Sequence, residues 1–212
     1  MEILSFCIHT SLMYNNFMDE KLVEIHDKAR QEHVPIMKDD GMEFLLNYIR
    51  EHENIRDILE VGTAVGYSSI QMAKIRWDNT IDTLEVNTNM YSQAIQNIKE
   101  EGLEDRIYVH LIDGAQFQTN KIYDLIFIDA AKSQYRRYLE HFMKNSRVGT
   151  VFIFDNLNFH GIVDDEQLST NRSTIQMVHK IKKFREHILQ DERFDTSFYD
   201  IGDGIAVSIR KE

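Results

Sequence analysis

The chain has 212 residues, 42% hydrophobic and 28% charged, with one cysteine and a formal net charge of −11. The length suits one domain with a core of its own, so residues 1–212 read as one unit with a helical N-terminal extension over about 1–52. The acidic balance argues against a generic nucleic-acid binder, and the lone Cys7 excludes an internal disulfide and fits a reducing, cytoplasmic setting.

The opening stretch MEILSFCIHT lacks the basic leader of a signal peptide, and no apolar run approaches the roughly 20 residues of a membrane span. Phe17, Leu22, Ile25 and Ala29 fall at helical spacing, which predicts a helix over 17–33 ended by Pro35, the only proline. Met42, Phe44, Leu45, Tyr48 and Ile49 continue that spacing. From residue 57 the period changes. Near-continuous apolar runs at Ile58–Val61, Ile81–Leu84, Ile107–Leu111, Leu125–Ile128 and Val151–Phe154 alternate with amphipathic segments such as 67–76, 88–101 and 133–146. Runs of this kind suit strands buried on both faces, and the alternation predicts an α/β fold with a mostly parallel sheet. Phe194–Ile201 and Ile205–Ile209 flank Gly202-Asp203-Gly204 and predict a closing antiparallel hairpin. Seven strands with that hairpin and N-terminal helices resemble the Rossmann-like fold of class I methyltransferases that use S-adenosylmethionine (SAM).

The first strand runs into Glu60-Val-Gly-Thr-Ala-Val-Gly-Tyr-Ser68. Glycines at 62 and 66 allow close backbone approach to a ligand, although the spacing is not the dinucleotide fingerprint and also suits a plain strand–helix turn. Glu85 closes the second strand, where an acid can bind ribose hydroxyls. The third strand ends at Asp113-Gly114-Ala115, a turn where adenine could lie; alone, Asp113 reads as a turn former.

The fourth strand ends at Asp129 and the fifth at Asp155-Asn156. Ligands of open α/β sheets bind beyond the carboxyl ends of strands, so these three side chains should converge there. Two carboxylates and an amide oxygen suit Mg²⁺, Mn²⁺ or Ca²⁺ and not zinc. Lys132 stands at the mouth of the same strand, placed to act as a base or to steady an oxyanion; a solvated lysine is the plainer alternative. Two basic segments interrupt the acidic chain: Lys132, Arg136, Arg137, Lys144 and Arg147, then Arg172, Lys180, Lys182, Lys183 and Arg185. They are solvated helix faces or a phosphate-binding surface.

Glu60–Ser68, Glu85, Asp129-Ala-Ala-Lys132 and Asp155-Asn156 resemble the cation-dependent O-methyltransferases of the catechol and caffeoyl-CoA type, over about residues 20–210. Val34-Pro-Ile-Met37, the stretch Phe127–Arg137, Asp155-Asn156 with Gly161-Ile-Val163, and Gly202–Ile209 are most similar to the bacterial tRNA 5-hydroxyuridine methyltransferases. The resemblance implies a metal held by Asp129, Asp155 and Asn156, with Lys132 and Asp129 catalytic. It implies SAM contacts from Met37, Glu60, Gly62, Tyr67, Ser68, Glu85, Asp113, Gly114, Ala115 and Asp129. It also implies SAM and Mg²⁺ as cofactors, a homodimer, and a tRNA anticodon loop as partner, with 5-methoxyuridine made at the wobble position. The basic segments would meet the loop's phosphates; Tyr135 and Phe159 are candidates to stack on the base, although aromatics in such segments more often belong to the core. The same chemistry on a catechol-like small molecule is the alternative. A non-catalytic nucleotide- or metal-binding module and a nicotinamide dehydrogenase fit the residues less well.

Overall fold

The computed structural model describes residues 20–158 and 171–211. Cys7, Phe17, Phe159 and the stretch 161–163 lie outside the described residues. The chain opens with α1 (Glu20–Gln31), which buries Leu22, Ile25 and Ala29. It ends before Pro35: His33 adopts φ 54° and the Val34 N–H donates to Ala29 O at 2.8 Å, a left-handed C-terminal cap. Then follow α2 (Asp39–Glu51), β1 (Asp57–Val61), α3 (Tyr67–Ile75), β2 (Thr80–Glu85), α4 (Thr88–Glu100), β3 (Ile107–Leu111) and β4 (Leu125–Ile128). After β4 come α5 (Tyr135–Phe142), β5 (Val151–Phe154), α6 (Arg172–Gln190), β6 (Phe194–Tyr199) and β7 (Ile205–Arg210). The helix expected over 133–146 is broken into α5 and flanking 3-10 turns, Lys132–Gln134 and Met143–Asn145. Ser146 Oγ and the Ser146 N–H both donate to Met143 O, which closes the chain into the second turn.

Among the described residues the strands form one seven-stranded sheet in the order β3-β2-β1-β4-β5-β7-β6. The first five strands are parallel, and β7 runs antiparallel between β5 and β6. Consecutive strand residues serve opposite faces. Ile58, Phe127 and Ile153 pack with the helical residues Ile25, Leu45, Ile70 and Ala94. Their neighbours Leu59, Ile126 and Phe152 pack with Leu139, Phe142, Val178 and Phe184. This two-sided burial is why the strands read as apolar runs without alternation. Each such side chain contributes about 1.5–3 kcal/mol by leaving water.

Register fixes where the site will be. Val61 pairs with Leu84 on one side and Ile128 on the other, and Ile128 pairs with Phe154. The next residues, Glu85, Gly62, Asp129 and Asp155, therefore emerge at one level across four neighbouring strands. Between β1 and β4 the strand order reverses, which is where ligands of such sheets bind. Ala206 pairs with Phe154, so the turn preceding β7 arrives at the same edge.

Candidate active site

A cavity of about 420 Å³ opens at this edge, within the size range of small-molecule sites. Gly62, Tyr67, Ser68, Glu85, Asp113 and Gly114 line it from the β1–β3 side, Asp129, Lys132 and Asn156 from the β4–β5 side, and Met37 from the connection between α1 and α2. Of the expected residues, Glu60, Ala115 and Asp155 are not at its wall.

Gly62 sits at φ 110°, and a Cβ there would stand 2.0 Å from Asp129 O, so no other residue fits so close to β4. Its N–H and that of Thr63 donate to Leu84 O at 3.0 and 3.2 Å, tying the turn to β2. Glu85 is held by three backbone donors at 2.8 Å: Ala64 N to Oε2, and Val86 N and Asn87 N to Oε1. A carboxylate has about four lone-pair directions, so one remains for a ribose hydroxyl. Asp113 Oδ1 accepts from Ala115 N at 2.7 Å while Asp113 still lines the cavity, so it is turn former and wall together. Ala115 takes part only through that bond.

Glu60 corrects the expectation of direct contact. It is wholly buried, and its carboxylate accepts from the hydroxyls of Ser68, Ser69 and Thr83, the last at 2.5 Å. Burial pushes its carboxyl up to about 7, against the pull of those hydroxyls. Glu60 thus holds Ser68 from beneath.

On the other side, Asn156 Nδ2 donates to Asp129 Oδ1 at 2.8 Å and to Asp155 Oδ2 at 2.9 Å. Asn156 itself has φ 63°, a left-handed conformation that asparagine tolerates and that functional sites often store. Burial raises the Asp129 carboxyl; the Lys132 ammonium opposes that and the Asp203 charge adds to it. Asp155 is pushed up to about 8 by burial and then by the Asp129 charge. Two buried carboxylates that resist ionising side by side are the arrangement a divalent cation reverses. The donor set fits such an ion: the residues at the contact offer hard oxygens, with no histidine or cysteine among them. A half-turn of the Asn156 amide presents oxygen in place of nitrogen.

Tyr135 takes the core reading and not the stacking one: it is fully buried, packs on Phe154 and Phe184, and donates its hydroxyl to Asp155 O at 2.7 Å. It steadies the β5 terminus and offers no stacking face. Of the basic segments, Arg136 and Arg137 are exposed beside Lys132 at the start of α5, and α6 packs on the Lys132–Gln134 turn. Lys144 and Arg147 are engaged at the far end of α5, with Gln118 and with Asp124, whose carboxylate caps the start of β1 through Asp57 N. Asp203 was missed. It is 4% exposed, and its charge bears on both Asp129 and Asp155. A Gly-Asp-Gly turn signals only a hairpin, and the approach to β5 spans some fifty residues of sequence. A further cluster, Glu140, His187 and Asp191, has cation-binding composition. Arg193 bonds both of its acids, at 2.7 and 2.6 Å, so it is an ion-pair group.

Residues 9–211 match the family model described as O-methyltransferase. The chain is 30% identical over 168 residues to a catechol O-methyltransferase of Niastella koreensis, covering 74% of each protein. It is 25% identical over 207 residues to a caffeoyl-CoA O-methyltransferase of Populus kitakamiensis, covering 90% of this chain and 86% of the relative. Among solved structures, a Staphylococcus aureus protein, a candidate caffeoyl-CoA O-methyltransferase, superposes with a TM-score of 0.88 at 30% identity, covering 96% of this chain and 99% of the other. An O-methyltransferase from Bacillus cereus in complex with SAH superposes with a TM-score of 0.76 at 28% identity, covering 92% of each.

Proposed function

Since the chain belongs to the O-methyltransferase family, we propose that it transfers a methyl group from SAM to one of two adjacent oxygens of an acceptor, with a divalent cation at Asp129, Asp155 and Asn156. The observation that carries this reading is the shared register of Glu85, Gly62, Asp129 and Asp155, which sets a nucleoside-binding edge directly beside a hard-donor edge. The fold, that of class I SAM-dependent methyltransferases, and the SAH-bound relative from Bacillus cereus support the choice of donor.

The roles follow from position. Glu85 takes a ribose hydroxyl, and the glycine turn with Ser68 takes the amino-acid end of SAM. Gly114 lets its turn lie close against Val61 and Tyr138, beside the space for the adenine. A bound cation would draw two vicinal oxygens together and make the acceptor hydroxyl more acidic. Lys132 Nζ, once it has shed a proton to solvent, takes the proton that leaves this hydroxyl, and as an ammonium it steadies the remaining negative charge. The new O–CH₃ bond forms as the S–CH₃ bond breaks, and the pocket contributes by fixing the approach.

For the acceptor we favour the 5-hydroxyl of 5-hydroxyuridine in a tRNA anticodon loop, whose 4-carbonyl is the neighbouring oxygen. Support comes from the exposed Arg136, Arg137, Lys180 and Lys183, a basic margin on a chain of net charge −11. A catechol-like small molecule is the second reading, favoured by the Niastella koreensis relative. A methylation assay offering each acceptor with SAM and Mg²⁺ separates them. Formation of 5-methoxyuridine, seen by mass spectrometry of tRNA nucleosides, supports the first. Turnover of catechol with inert hydroxyuridine tRNA removes it. An Arg136→Ala, Arg137→Ala double variant should weaken tRNA binding and lower the salt slope by about 1–2 units. An unchanged slope removes these arginines from the interface.

A further inference from the structure

The cavity wall formed by Pro35, Ile36 and Met37 belongs to neither sheet edge. It is a connection between helices, and something must hold it against the cofactor space. The side chain of the following residue reaches away from the cavity: Lys38 Nζ stands 3.2 Å from Gly202 O and 3.4 Å from Asp203 Oδ1. Two residues further on, Asp40 Oδ2 accepts from Gly202 N at 3.0 Å. A Cβ on Gly202 would lie 3.2 Å from Gly41 Cα, and one on Gly41 would lie 3.1 Å from Met37 Cε, so wall, helix start and hairpin turn are in close contact. The same turn holds the metal edge from its other side, through Leu157 N to Gly204 O at 2.8 Å and Asn158 N to Asp203 O at 2.7 Å.

We infer that Lys38 is a positioning residue: it clamps the Pro35–Met37 wall onto the 202–204 turn and so links cofactor affinity to the charge balance of the metal edge. The inference rests on the proposed function, which puts the cofactor in this cavity. It has two consequences of opposite sign. Removing the ammonium loosens the wall, which weakens the cofactor. It also takes one positive charge away from Asp203, whose charge already bears on Asp129 and Asp155, which strengthens the hold on a cation. A general folding defect would weaken both.

The test measures S-adenosylhomocysteine affinity by calorimetry without metal, and Mn²⁺ affinity by electron paramagnetic resonance without cofactor, in wild type, Lys38→Met and Lys38→Arg. The pair is partly solvated, so the expected loss of S-adenosylhomocysteine affinity in Lys38→Met is about fivefold. Mn²⁺ should bind at least as tightly as in wild type, and Lys38→Arg should restore the cofactor. Unchanged S-adenosylhomocysteine affinity in Lys38→Met, parallel loss of both ligands, or failure of arginine to rescue overturns the clamp. Failure of the wild-type protein to bind S-adenosylhomocysteine instead overturns the proposed function beneath it.

Discussion

The two halves of the carboxyl edge are built on contrasting principles. On the β1–β2 side every charged group is already answered: Glu85 by three backbone N–H donors, Glu60 by three hydroxyls. On the β4–β5 side Asp129 and Asp155 are buried near one another with a single amide between them, and both carboxyls are raised. The first half is preorganised for a ligand that arrives with its own hydroxyls. The second is assembled under electrostatic strain that an added positive charge relieves. A shared register binds the two, so neither can shift without the other.

The contrast breaks most sharply by removing the strained half. Asp155→Ala should lower kcat by about a thousandfold or more, given the several kcal/mol a catalytic cation supplies. Chelation should do the same reversibly, and S-adenosylhomocysteine binding should persist in both cases. Radiolabelled methyl transfer and calorimetry check this; a variant retaining a tenth of wild-type turnover would refute the assignment. Lys132→Ala comes next, with a fall in kcat of about 10²–10⁴ and an unaltered cofactor affinity. An equal rise in KM for SAM would place the lysine on the wrong side of the divide. The preorganised half is probed by Gly62→Ala, whose Cβ would collide with Asp129 O. Backbone on both sides must then move, so S-adenosylhomocysteine affinity and Tm should fall together.

The smallest effect is a dependence on pH. Asp129 and Asp155 have raised folded-state pKa values, so the stability tied to their protonated forms is present at acid pH. It is lost as pH rises through about 8 for Asp155. Glu60, lifted to about 7, acts in the same direction but lies away from the cation. Tm of the metal-free protein should therefore decline from about pH 5 to 8, and the gain in Tm on adding Mg²⁺ should widen over that window. A gain independent of pH would mean that the ion binds elsewhere.

How much could be seen in advance also differs between the halves. All seven strands were legible: the central ones because two-sided burial leaves an unbroken apolar run such as Leu125–Ile128, and the edge strand β6 because it alternates beside a Gly-Asp-Gly turn. The convergence of Asp129 and Asp155-Asn156 at one edge was legible, since Asp129 and Asp155 directly follow such runs. Glu60 was misjudged: its place at the head of the glycine turn suggests contact, but an inward-pointing strand residue faces Thr83 instead. Tyr135 was legible as a core aromatic, although helical periodicity does not say which helix covers it; Phe184 of α6 does. Asp203 and Lys38 were illegible for a common reason. Their partners lie in segments far along the chain, brought close only by β7 inserting antiparallel between β5 and β6.

The in-step ends of the strands have one more consequence, for selectivity. Neighbouring strands lie about 4.8 Å apart, so the sheet acts as a ruler whose graduations carry, in turn, Glu85, the bare Gly62 and the two acids. A molecule qualifies by length: its nucleophile must reach back one graduation from the acids toward the glycine while its second oxygen stays behind. Deleting one residue from β4 would turn the Asp129 side chain to the opposite face and leave the ruler with a missing mark, however stable the remaining sheet.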